Sequence, residues 1–77
     1  MGNYCIVEGM TKDGLYYVGL NRQSEMGKWE LVDSVTMNCE KEEGEVIVDE
    51  ALRITGGVTE NIIEIVETIA NKGVVNG

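Results

Sequence analysis

The stretch from Asn38 to Gly57, NCEKEEGEVIVDEALRITGG, decides the fold of this chain. Wound as a helix, it places its apolar residues on one stripe and its acidic residues on the opposite side. The stripe consists of Gly44, Ile47, Val48, Ala51 and Leu52. As a strand, EVIVD would instead form a hairpin with the preceding segment through EKEEG. The helical spacing favours a helix within residues 40–55.

Several residues are suited to the ends of this helix. Asn38 is a preferred N-cap residue, and the acidic residues that follow it interact favourably with the helix dipole. The pair Gly56-Gly57 is typical of a helix C-terminus. Gly44 costs such a helix about 1 kcal/mol relative to alanine.

The N-terminal half has the alternation of β-strands. Two β-rich runs flank the turn signal Asp13-Gly14, which predicts a hairpin over residues 3–21. The run KWELVDSVTM predicts a third strand with four apolar residues on one face, interrupted by Asp33, near which the strand bends or ends. Those four are Trp29, Leu31, Val35 and Met37. Trp29 is either a core residue that covers the sheet edge or an anchor for a partner, since Trp is enriched at interface hot spots.

The last apolar segment has two interpretations. As a helix from Glu60 to Lys72, capped by Thr59 and ended by Gly73, it buries most of its isoleucines on one face. As a strand, it suits the density of β-branched residues but divides the isoleucines between two faces. Periodicity favours the helix. The sequence therefore predicts one α+β domain over residues 1–77, with a small antiparallel sheet, made of the hairpin and a third strand, packed against one or two C-terminal helices.

The charge of the chain is concentrated. Residues 1–29 are balanced, whereas residues 30–67 hold eleven acidic residues against Lys41 and Arg53, a net charge of −9. Such a field repels nucleic acid and anionic membranes, because phosphate contacts are made by Lys and Arg. It attracts basic protein surfaces and speeds their encounter. We therefore expect a basic protein as partner, no direct binding of nucleic acid and no membrane association.

The residues that usually carry catalysis are missing. Without histidine, the commonest general base is absent, and no glycine motif for phosphate binding occurs. Cys5 and Cys39 have neither a redox spacing nor the ligand partners of a zinc site. We expect no enzymatic activity, no cofactor and no metal. The opening MGNYC does not resemble a signal peptide, so we expect a cytoplasmic location and two shielded free thiols.

The order of these elements resembles a known class of proteins. A hairpin, a third strand that opens with Trp29 and an acidic EEGEVIVDEAL helix are similar to the small acidic α+β accessory proteins of bacteriophages and mobile elements. In several of those proteins the last apolar segment is a strand. The resemblance implies a phage-type product acting in a bacterial host cell, a class that includes anti-CRISPR and other anti-defence proteins.

Two functional hypotheses follow. In the first, the chain is an inhibitor whose carboxylates imitate nucleic-acid phosphates and block a CRISPR effector or another defence nuclease. The expected contact residues are Glu42, Glu45, Asp49, Glu50, Glu60, Glu64 and Glu67, together with Trp29. In the second, the chain is a non-catalytic structural or regulatory module that forms a homodimer, and its acidity serves only solubility.

Overall fold

The computed structural model describes residues 3–72, and its architecture confirms the α+β prediction. A three-stranded antiparallel sheet in the order β1-β2-β3 precedes two helices. The elements are β1 (Tyr4–Met10), β2 (Tyr16–Gln23), β3 (Trp29–Met37), α1 (Lys41–Thr55) and α2 (Ile62–Lys72). Both segments that could have been strands are helices, so the helical periodicity outweighed the β-branched content.

A short turn joins β1 to β2 and confirms the predicted hairpin. Gly14 has φ +84°, a left-handed conformation that glycine adopts without steric cost. The Thr11 backbone closes the loop, since its N–H donates to the Leu15 carbonyl at 2.8 Å and its carbonyl accepts from the Gly14 N–H at 3.0 Å. The register then runs from Met10 opposite Tyr16 to Tyr4 opposite Arg22.

A β-bulge divides β3 and corrects the predicted face. Leu20 is opposite Asp33, whereas the next residue, Asn21, is opposite Leu31, so Val32 is an extra residue. Because successive strand residues alternate between faces, this extra residue reverses the alternation. Val35 and Met37 consequently face the helices, while Trp29 and Leu31 lie on the other face of the sheet. The four residues therefore do not share a face, and the strand continues past Asp33.

Helix α1 begins later than its first capping candidate suggested. Its N-cap is Glu40, in an extended conformation and without a side-chain capping bond, rather than Asn38. The Cys39 carbonyl accepts a hydrogen bond from the Tyr16 N–H at 3.3 Å, which keeps this residue attached to the sheet. At the other end Gly56 has φ +79° and its N–H returns to the Leu52 carbonyl, as the glycine pair predicted.

Helix α2 begins at Ile62, two residues after its predicted start. The Thr59 hydroxyl contacts the Asn61 side chain at 2.7 Å, while the Thr59 carbonyl accepts the Ile62 N–H at 3.2 Å. The predicted stop at Gly73 lies outside the described residues. Within residues 3–72, neither helix combines the length and apolar character that a bilayer span requires.

The core lies between one face of the sheet and the two helices. The central strand contributes alternate residues, and the helices contribute the stripes that periodicity indicated. Its fully enclosed members are Val18, Leu20, Val48, Ala51, Ile62 and Val66. Trp29 is not among the core residues, because 47% of its surface is exposed. The interpretation of Trp29 as a core residue is therefore wrong, and the bulge is the reason.

Gly44 allows α1 to approach the sheet closely. A Cβ placed on Gly44 would lie 2.2 Å from Cδ2 and 2.6 Å from Cγ of the buried Tyr16 ring. Contacts this short do not occur between real side chains. The glycine that weakens the isolated helix is therefore what lets the aromatic ring pack directly against the helix backbone.

We predict that Gly44→Ala destabilises the protein even though alanine favours a helix by about 1 kcal/mol. The added methyl group must displace Tyr16 or α1, and overpacking of a tight core costs about 1–3 kcal/mol or more. Denaturant unfolding followed by circular dichroism measures the difference. Glu42→Ala, at an exposed position of the same helix, is the control and should change stability by about 0.5 kcal/mol at most. Greater stability of Gly44→Ala would contradict the packing described here.

Candidate functional site

The Tyr16 hydroxyl lies beneath an acidic edge of the molecule. The Tyr16 ring is 3% exposed, and its hydroxyl donates a hydrogen bond to the carboxylate of Glu8 on β1. Burial raises the pKa of Tyr16 well above its ordinary value, and the Glu8 hydrogen bond and charge, followed by the charges of Glu45 and Asp49, raise it further. Three carboxylates from two elements therefore act on one hydroxyl.

We call Glu8, Glu45 and Asp49 the Tyr16 rim. All three are exposed at the surface. Glu45 and Asp49 are four residues apart on α1, which places them about one turn apart on the same side of the helix. Glu42 is also exposed on α1, one turn before Glu45. The structure thus brings together three of the residues predicted for partner binding and adds Glu8 to them.

Glu67 lies at a different place, next to Glu43. A cavity of about 270 Å³ opens between the end of β3, α1 and α2. Its wall includes Cys39, Glu43, Ile47, Glu67 and Asn71. Successive helix residues are turned by about 100°, so positions 43 and 45 project about 200° apart on α1. Glu67, the acidic residue of α2 that lines this cavity, is consequently separated from the Tyr16 rim by the body of α1.

The cavity also holds one of the two cysteines. Cys5 and Cys39 are free thiols, and each is half-buried. Burial raises the pKa of the Cys39 thiol, and the neighbouring Glu43 carboxylate raises it further. Since the thiolate is the nucleophilic form, these surroundings make Cys39 less reactive than an ordinary exposed cysteine.

Glu50 differs from the other acids of α1 because it has a cationic partner. The Arg53 guanidinium bonds to both of its carboxylate oxygens, with Nε 3.2 Å from Oε1. This is the one ion pair within residues 3–72. Glu42, Glu45 and Asp49 therefore keep their charge without a cationic partner in that part of the chain. Glu60 and Glu64 are likewise exposed near the start of α2.

Trp29 is separated from the acidic residues by the sheet. It is opposite Gln23 in the β2–β3 register and lies on the face that the helices do not cover. The residues expected to bind a partner together are therefore distributed over three places: the Tyr16 rim, the helix surfaces beyond it and the helix-free face of the sheet.

Glu8 is the site residue that sequence reasoning missed. Glu8 is on the same face of β1 as Tyr4 and Ile6, which are both half-buried. In the β1–β2 register it is opposite the fully buried Val18. An acidic residue on the apolar side of a strand is the signal that could have identified it. Charge counting hid this signal, because residues 1–29 are neutral in sum.

The carboxylates form a dispersed surface. Among residues 3–72, no three acidic or thiol side chains converge closely enough to hold a metal ion. Neither a scan against protein-family models nor searches of curated proteins and of solved structures gave a significant match to this chain. Surface geometry and charge are therefore the basis for assigning a role.

We predict that Tyr16 makes stability depend on pH in the alkaline range. Below about pH 10 the tyrosine is protonated in both the folded and the unfolded chain, so its contribution is complete. Above that pH the unfolded chain loses the proton and the folded chain retains it. The free energy of unfolding should then fall by about 1.4 kcal/mol per pH unit until the raised pKa is reached.

Tyr16→Phe provides the comparison for this prediction. Urea unfolding of both proteins between about pH 8 and pH 11 isolates the contribution of the hydroxyl. The advantage of the wild-type protein over Tyr16→Phe should be constant below about pH 10 and shrink above it. A stability difference between the two proteins that stays constant at every pH tested would show that Tyr16 ionises equally easily in the folded and the unfolded chain.

Proposed function

We propose that this chain is a non-catalytic inhibitor that binds a basic, nucleic-acid-binding surface of another protein through the Tyr16 rim and the adjoining Glu42. The observation that carries the proposal is that Glu8 on β1 accepts the hydrogen bond of the buried Tyr16 hydroxyl while the charges of Glu45 and Asp49 on α1 act on the same group. Folding directs carboxylates from two distant parts of the chain toward one tyrosine, and Glu45 and Asp49 have no cationic partner among residues 3–72.

The spacing of the carboxylates on α1 can be compared with the spacing of the phosphates that a nucleic-acid-binding partner contacts. Four residues of helix rise about 6 Å, and three residues about 4.5 Å. Successive phosphates on one DNA strand are about 3.4 Å apart along the axis, so two steps cover roughly 7 Å. The rise from Glu45 to Asp49 is therefore close to the spacing of every second phosphate, whereas the rise from Glu42 to Glu45 is shorter. Arginine also binds carboxylates and phosphates with the same two-pronged geometry.

The resemblance to small phage accessory proteins supports a particular class of partner. A CRISPR effector or another defence nuclease presents a basic groove for nucleic acid, and such a groove is complementary to the Tyr16 rim. On this proposal the protein acts in the cytoplasm of a bacterial host cell. It excludes nucleic acid by occupying the groove, and it performs no chemistry itself.

Binding of this kind has two measurable properties. Exposed charges are screened over a Debye length of about 8 Å at physiological ionic strength, so complex formation should weaken as salt rises. Charge at an interface also acts strongly on the rate of association, and we therefore expect the rate constant for association to fall when rim charges are reversed.

We predict that the double variant Glu45→Lys/Asp49→Lys no longer binds the partner protein. The test is capture by immobilised protein from a nuclease-treated bacterial lysate at low salt, with bound proteins identified by mass spectrometry. A genuine partner should be depleted at least tenfold by the double reversal and displaced from the wild-type protein by added duplex or single-stranded nucleic acid.

The matched control is Glu25→Lys/Glu30→Lys, which changes the net charge equally at exposed positions that are not part of either helix. It should capture the partner as the wild-type protein does. Equal capture by wild type and both double variants, or no displacement by nucleic acid, would reject the proposed mimicry. Circular dichroism of each variant establishes that a loss of binding is not a loss of folding.

A further inference from the structure

The face of the sheet that the helices leave uncovered is a continuous apolar patch. Leu31 is 65% exposed and Val7 43% exposed, and they meet above the central strand at Gly19. A Cβ on Gly19 would lie 3.1 Å from Leu31 Cδ1 and 3.2 Å from Val7 Cγ2. The Tyr17 ring similarly covers Gly9, and Trp29 extends the patch along β3. We call this surface the outer face.

The outer face carries no charge at its paired register positions. β1 contributes Cys5, Val7 and Gly9, β2 contributes Tyr17, Gly19 and Asn21, and β3 contributes Leu31, Ser34 and Thr36. None of these is Asp, Glu, Lys or Arg, although 26% of the chain is charged. The acidic surface of the helices and the neutral surface of the sheet are therefore on opposite sides of the molecule.

We propose that the outer face binds a second copy of this chain, so that two sheets pack face to face. A chain of net charge −8 repels its own copy wherever acidic surfaces meet. The outer face avoids that repulsion, because face-to-face packing of the sheets leaves the carboxylates of both helix layers on the far sides. A basic partner, by contrast, gains no electrostatic attraction from this neutral surface.

The size of the outer face determines how stable such a dimer is. Three strands about 4.8 Å apart and seven to nine residues long cover roughly 400 Å² of projected area per copy. Stable interfaces bury about 800 Å² per partner, so this contact is below that size and belongs with weak, transient interfaces. The dimer is consequently weak and reversible.

The single tryptophan of the chain reports on this contact directly. Trp29 is half-exposed at the end of the outer face and becomes enclosed when two sheets meet. Sedimentation velocity and tryptophan fluorescence are measured from low micromolar to submillimolar concentration. We expect the weight-average mass to approach twice that of the monomer while Trp29 emission shifts to shorter wavelength.

Two variants identify the face that is used. Leu31→Glu places a carboxylate at its centre and should hold the protein monomeric throughout the range. Val7→Lys tests the opposite edge strand, β1, and should weaken association at least tenfold. Met26→Glu is the matched control: it adds the same charge at a side chain that is 86% exposed in the β2–β3 loop, and it should associate as the wild type does.

Three results would overturn the proposal. The first is a wild-type protein that stays monomeric with constant Trp29 emission. The second is a dimer that persists in both Leu31→Glu and Val7→Lys. The third is a monomer whose capture of another protein is abolished by Leu31→Glu, which would assign the outer face to a different partner. The rim variant Glu45→Lys/Asp49→Lys should dimerise normally, so this test is independent of the inhibitor proposal.

Discussion

The contact between the Tyr16 ring and the backbone of α1 at Gly44 determines how the two layers of this small protein meet. No side chain separates the ring from the helix, since even a methyl group on Gly44 would overlap the aromatic carbons. This close approach brings Ile47, Val48 and Ala51 down onto the central strand, where they are buried. A chain of 77 residues buries a limited core, so one misplaced helix would remove much of its stability.

The same contact positions the acidic surface. With its ring fixed beneath α1, Tyr16 directs its hydroxyl to the edge of the sheet, where Glu8 accepts its hydrogen bond. Helix geometry then turns Glu45 and Asp49 to the flank of α1 away from Glu43, where their charges raise the pKa of Tyr16. The Tyr16 rim is therefore a consequence of packing, and it is assembled from residues that composition alone assigns to different regions of the chain.

Periodicity was sufficient to predict the hairpin, the third strand and both helices, because the apolar residues in each segment recur with the spacing of a strand or of a helix. It failed at β3, where the single extra residue Val32 reverses the alternation and moves Trp29 and Leu31 out of the core. A bulge has no strong signature in one sequence, and Asp33 indicated only that the strand was irregular. The rim residue Glu8 was missed for a related reason: its role depends on the pairing of β1 with β2 and on the position of α1, and neither is encoded locally.

The uses proposed for the two surfaces of the molecule are compatible with each other. Face-to-face packing of two outer faces would leave the Tyr16 rims pointing in opposite directions, each with the same carboxylate spacing. A dimer of this kind could bind two basic sites at once, and the second contact would then occur at an effective concentration far above that of the free protein. Even a weak dimer would slow dissociation from a partner that carries two such sites. The neutral sheet would in this way strengthen the binding of the partner by the acidic helices, although the two surfaces are on opposite sides of the domain.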